Sequence, residues 1–119
     1  MLKDKIAAFI EKIRTIDGVT ACALVSRDGI IAGKYFEREI NEPWFGALTA
    51  TLLASAESAG TLINLKSLYE VSVRGKDSSI VVMGAGDHFL IAAVIKGTVN
   101  KEEVCSRISA VAAEIGRVM

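Results

Sequence analysis

What this chain most plainly lacks is an excess of charge. Fourteen Lys and Arg balance fourteen Asp and Glu, and neither sign runs in a block. Binding along a nucleic-acid backbone needs clustered Lys and Arg, and the linear sequence offers no such cluster, so no nucleic-acid partner is expected. There is one histidine, and the two cysteines, Cys22 and Cys105, lie far apart with no CxxC spacing. That is too little for a metal site, and both thiols read as small buried hydrophobes. Only seven residues are aromatic although 51% are hydrophobic, which makes the expected core mostly aliphatic. No apolar run reaches the ~20 residues needed to cross a bilayer. The opening Met1-Leu2-Lys3-Asp4-Lys5 leads straight into an amphipathic pattern rather than a secretory leader. No membrane insertion and a cytoplasmic location are therefore expected.

Linkers, repeats and low-complexity tracts are also missing, and 119 residues suit one domain spanning 1–119. Leu2, Ile6, Phe9, Ile10, Ile13 and Ile16 keep the helical rhythm, and Asp17-Gly18 is expected to end that helix with a left-handed cap. Apolar, β-prone runs at 19–26 and 30–36 flank Asp28-Gly29, a hairpin signal. After a polar connector, Asn41 or Glu42 caps a second helix with Pro43 in its first turn. Three strands follow, at 68–74, 79–85 and 89–95, and Asn100 with Glu103 has the spacing of a capping box opening a last helix. The order is α-β-β-α-β-β-β-α. Continuous apolar strands belong at the centre of a sheet, whereas alternating or charged ones belong at its edges. By that test 19–26, 79–85 and 89–95 are central, and 30–36 and 68–74 are edges. The expected fold is α/β (α+β), a three-layer α/β/α sandwich around a five-stranded antiparallel sheet.

The second helix is the unusual element. Residues 43–60 read PWFGALTATLLASAESAG, with no charge between Glu42 and Glu57. At 100° per residue, Phe45, Leu48, Leu52, Ala56, Ala59 and Ile63 share one side, which is assigned to the sheet. Opposite them lie Ala47, Ala50, Ala54, Ser58 and Thr61, with Thr51 beside them. A stripe of small residues lets a second helix come close. Alanine is also simply the best helix former, but an exposed helix chosen for propensity would use Lys and Glu as well. No other helix has a free apolar face, so the expected partner is another copy related by two-fold symmetry. The alternating strand 68–74, with Tyr69, Val71 and Val73 on one side, is a second element of that interface, because pairing would satisfy its open edge. Trp44 is either core-edge packing or a partner hot spot.

Catalytic chemistry finds no foothold. His88 sits in or beside a turn without a nucleophile or carboxylate nearby in sequence. Gly84-Ala85-Gly86 joins two strands rather than a strand and a helix, as a phosphate loop would require. Asp28 and Asp87 are turn residues. No catalytic, cofactor-binding or metal-ligating residue is assigned, and no cofactor is expected. A small-molecule sensor is an alternative of a different class, although the assigned core side offers no convergent polar groups.

With these elements in place, the chain resembles the Roadblock family (dynein light-chain roadblock-type domains). The resemblance rests on IDGVTACALVSRDGIIAG (16–33), ALTATLLASAESAG (47–60) and SLYEVSVRGKDSSIVVMGAGDHFLIAAVI (67–95). The compact length is similar to that of the stand-alone prokaryotic members of MglB type. What the resemblance implies is a non-enzymatic dimer that acts as a platform for a small Ras-like GTPase, or as an adaptor in a larger complex. Some members of the family promote GTP hydrolysis by reshaping the GTPase site without donating an arginine. Carried over, Ala47, Ala50, Ala54 and Ser58 lie in the dimer helix, and Tyr69, Val71 and Val73 in the paired edge strand.

Overall fold

The apolar periodicities of the sequence are realised as three helices and five strands. The computed structural model describes all 119 residues, Met1–Met119. In chain order these are α1 (Leu2–Arg14), β1 (Val19–Ser26), β2 (Ile31–Phe36), α2 (Glu42–Leu62), β3 (Val71–Arg74), β4 (Ser78–Ala85), β5 (Phe89–Lys96) and α3 (Lys101–Val118). The strands form one sheet in the order β2-β1-β5-β4-β3, antiparallel throughout. The apolar runs occupy the three central places and the alternating or charged strands the two edges, as the pattern requires.

Local signals set most boundaries. The Asn41 side chain accepts from the Trp44 amide and Asn100 from the Glu103 amide, so both helix starts are capped where short polar residues stand. α1 stops earlier than expected: Thr15 is its C-cap in right-handed conformation and turns its hydroxyl onto the Glu11 carbonyl, while Gly18 takes φ +100° three residues later. In the β1–β2 turn only Gly29 has positive φ, and the Ser26 amide donates to the Ile30 carbonyl at 2.8 Å. This is a three-residue hairpin loop with glycine in the left-handed place, rather than a two-residue Asp-Gly turn.

The two faces of the sheet are covered unequally. α1 and α3 close one face over 18 buried residues, including Ile13, Cys22, Leu24, Ile91, Ile108 and Ile115. α2 alone covers the other, where the buried cluster has seven members: Ala23, Val25, Ala50, Leu53, Val82, Leu90 and Ala92. Geometry explains the imbalance. Five strands at about 4.8 Å spacing span about 19 Å between the outer two, and one helix is about 10 Å wide.

α2 sits a quarter turn away from the orientation its large residues predict. Gly46, Thr49, Ala50 and Leu53 face the sheet and Gly60 is covered by Leu65 of the following connector, whereas Leu48, Ala59 and Ile63, assigned to the core, are exposed. Phe45 and Leu52 lie on the flank at the margin of the core. The cause is close approach. A Cβ on Gly46 would lie 2.5 Å from the Gly29 carbonyl oxygen and 3.1 Å from Ile31 Cγ1. The helix therefore lays its smallest residues on the backbone of the β1–β2 turn and inserts Leu53 as the single large side chain beneath it.

Candidate interaction site

The outward face of α2 carries Trp44, Leu48, Thr51, Ser55 and Leu62, with Ala47, Ala54, Ser58 and Ala59 beside them, all exposed. Trp44 is 63% exposed and Leu62 86%. The tryptophan is thus out on the surface rather than packed at the core edge. The threonines add little polarity here. Thr51 Oγ1 donates to the Ala47 carbonyl at 2.8 Å and Thr61 Oγ1 to the Glu57 carbonyl at 3.0 Å, so the hydroxyls turn back onto the helix and the methyls remain outward. Glu57, the one charge in the later turns, is drawn aside by Arg27, whose guanidinium approaches both carboxylate oxygens at 3.3 Å and donates to the Gly86 carbonyl at 2.8 Å. Arg27 thereby ties α2 to the β1–β2 and β4–β5 turns at once. Its Nε is buried without a partner. The face that results is apolar or weakly polar along its whole length.

Two neighbouring features extend this surface. The chain leaving α2 keeps Ile63, Leu65 and Tyr69 exposed, the last at 82%, and leads into the sheet edge. A groove of about 720 Å³ opens between the first turns of α2 and the sheet surface that α2 leaves bare. Phe36, Ile40, Trp44, Phe45 and Leu48 line it, with Arg38 and Lys96 at its margin. Phe36 and Phe45 meet edge-to-face there, ring centres 5.5 Å apart.

The expected interface residues separate under this geometry. Ala47, Thr51, Ala54, Ser58 and Thr61 are exposed on α2. Ala50 is buried against the sheet at 8% exposure and is removed from the set. β3 is shorter than expected, four residues from Val71 to Arg74, so Tyr69 lies in the connector and not in the strand. Val71 and Val73 pair with Val82 and Ile80 on the α2 side, and β3 has no partner on its outer edge. Sequence reasoning placed Leu48, Ala59 and Ile63 inside and so missed all three as surface residues. The available signal was Gly46, because a glycine within a helix can mark the side that approaches backbone.

The remaining titratable groups do not converge. No group of three or more His, Cys, Asp or Glu is placed to hold a metal ion. Both cysteines are free and buried. Burial pushes the Cys22 thiol up to about 12, with Arg14 opposing weakly. Burial, and after it Glu70, pushes Cys105 in the same direction. Such thiols are protonated and unreactive near neutrality. No helix is long and apolar enough to cross a membrane.

The arrangement is a sheet-and-helix scaffold whose differentiated surface is the uncharged outward face of α2 beside an open strand edge. Residues 5–96 match the family model described as the Roadblock/LC7 domain, and the chain belongs to that family. Solved structures share its fold at low identity. MglB of Myxococcus xanthus superposes with a TM-score of 0.89 at 17% identity, covering 98% of this chain and 88% of that one. A structure described as MglB with tetrameric arrangement gives 0.86 at 18%, covering 97% and 88%. Profilin II of Acanthamoeba castellanii gives 0.64 at 14%, covering 92% and 95%, so the architecture reaches beyond the family. No curated protein matches the chain in sequence.

Proposed function

We propose that the chain is a non-enzymatic, cytoplasmic interaction protein that acts as one domain. Two copies join through the outward face of α2 and the β3 edge, and the joined surface serves as a platform for a small Ras-like GTPase. The observation that carries this reading is the under-covered side of the sheet, where a single helix turns an uncharged face to solvent beside an unpaired strand. A stable interface buries about 800 Å² per partner, roughly a tenth of the 7378 Å² this chain exposes. The α2 face, the connector with Ile63 and Tyr69, and the β3 edge lie in a continuous run that can supply it. The MglB-type relatives support the GTPase assignment, and one of them is described in a tetrameric arrangement.

Light scattering of the purified protein should give the mass of two chains, and Thr51→Arg or Ala54→Arg should give one. A mass unchanged by either variant would place the contact elsewhere. Tagged protein washed with GDP or with a non-hydrolysable GTP analogue should then retain a GTPase of about 20 kDa in one nucleotide state only. A second reading, a ligand sensor, has one observation in its favour: the half-apolar groove beside Trp44 is of ligand size. Native mass spectrometry showing a co-purified small molecule would favour it.

A further inference from the structure

The open edge of β3 is self-complementary in charge. Val71 pairs with Val82, Ser72 with Val81, Val73 with Ile80 and Arg74 with Ser79, and the Gly75 amide donates to the Ser78 carbonyl at 2.8 Å. Backbone hydrogen-bonding groups alternate in direction along a strand. Val71, Val73 and Gly75 therefore turn theirs toward β4, while Glu70, Ser72 and Arg74 present theirs at the free edge. Side chains alternate with the same period across the two faces. Lys101 of α3 donates to the Ser72 hydroxyl, and Glu70 Oε2 lies 3.9 Å from Cys105 Sγ of α3. Glu70, Ser72 and Arg74 thus stand on the α3 side of the sheet, and Val71 and Val73 on the α2 side. Glu70 and Arg74 are exposed, and neither takes part in any ion pair of the chain.

We propose that two copies pair along this edge in one register, centred on Ser72, with Glu70 of each chain opposite the partner's Arg74. The inference rests on the dimer proposed above and adds the residues that fix its register and its choice of partner. A two-fold axis normal to the sheet makes the two strands antiparallel and keeps both α2 helices on one side. A slip of a single residue would set opposite faces against each other, so only even shifts compete. Centring on Ser72 sets Val71 against the partner's Val73 in the closely spaced, non-hydrogen-bonded places. It also forms the Glu70–Arg74 pair twice, and opposite charges directly across a strand pair attract whereas like charges repel. One alternative shift sets Arg74 against Leu68 and Glu70 against Ser72. The other sets Val71 against Gly75 and moves Glu70 to Lys76, out of the strand and into the turn. From α3, Lys101 and Glu102 flank the row with one charge of each sign and so leave its balance unchanged. A charged edge ordinarily repels further strands. An acid and a base placed evenly about Ser72 admit a copy of the same edge and repel edges without that order.

Charge reversal, read by sedimentation equilibrium of the full chain, tests the pairing. Glu70→Arg and Arg74→Glu should each weaken self-association about tenfold or more, since each turns two attractive cross-strand pairs into two repulsive ones. The double variant exchanges the signs of both pairs and should return to within about threefold of wild type. When the two single variants are mixed, one of them isotopically labelled, native mass spectrometry should show mainly the mixed dimer, because only there do both pairs match. Far-UV circular dichroism confirms folding, and Glu70→Gln with Arg74→Gln serve if a reversal does not fold. Preferential mixing of Glu70→Arg with Lys76→Glu instead would overturn the centre at Ser72. A wild-type dimer that survives every reversal, yet dissociates in Ala54→Arg, would overturn the strand pairing and leave the α2 contact standing. Wild-type protein with the mass of one chain would remove the dimer reading and this inference with it.

Discussion

Cys22 shows how much a single buried atom can report. It lies on β1, fully enclosed between the sheet and the α1–α3 layer, and burial raises its thiol from the ordinary 9.0 to about 12. In the unfolded chain the thiol ionises near the ordinary value, while in the folded chain it keeps its proton. Between about pH 9 and 12 the native state thus binds the extra proton, and stability falls as pH rises, by up to about 1.4 kcal/mol per pH unit. Below pH 9 the contribution is fully present. Urea midpoints measured from pH 8 to 11 should decline more steeply for wild type than for Cys22→Ala; equal slopes would contradict the enclosed thiol. Gly46 makes a complementary point. Alanine in a helix interior normally stabilises, but here a side chain would meet backbone, so the glycine records contact rather than flexibility.

At the level of the element, α2 inverts a common expectation. Its bulky Leu48 lies on the solvent face and its small Gly46 and Ala50 on the sheet, because the surface beneath, from Gly29 across Ala23 and Ala92, admits close approach only by small residues. The two leucines should therefore respond oppositely to truncation. Leu53→Ala, at 1% exposure, should cost about 2–5 kcal/mol in chemical unfolding. Leu48→Ala should cost under about 0.5 kcal/mol when measured on the dissociated chain. A larger loss at Leu48 than at Leu53 would restore the orientation expected from the large residues. The other helices behaved as their patterns require. Phe9, Ile10 and Ile13 of α1 and Val104, Ile108 and Ile115 of α3 are buried, because those helices lie on a broad apolar surface that accepts large side chains.

For the whole molecule, the decisive property is asymmetry. Two helices close one side of the sheet and one helix half-closes the other, and in the proposed dimer that second side completes its burial. Partner binding to the native state alone stabilises by mass action. The melting temperature should consequently rise with protein concentration in wild type and stay flat in Ala54→Arg. A flat wild-type curve would mean that the exposed face of α2 meets no second copy.

Periodicity and local chemistry determined the element order, the caps at Asn41 and Asn100, the burial of both cysteines and the division of the strands into centre and edge. Each depends on neighbours a few residues apart, or on how apolar a strand is along its length, and the chain displays these directly. The rotation of α2, the burial of Ala50, the exclusion of Tyr69 from β3, and the Arg27 tie to Glu57 and Gly86 were decided only in three dimensions. Each depends on which distant segments come together and how near their backbones can lie, and helical periodicity within α2 carries no information about the surface it will meet.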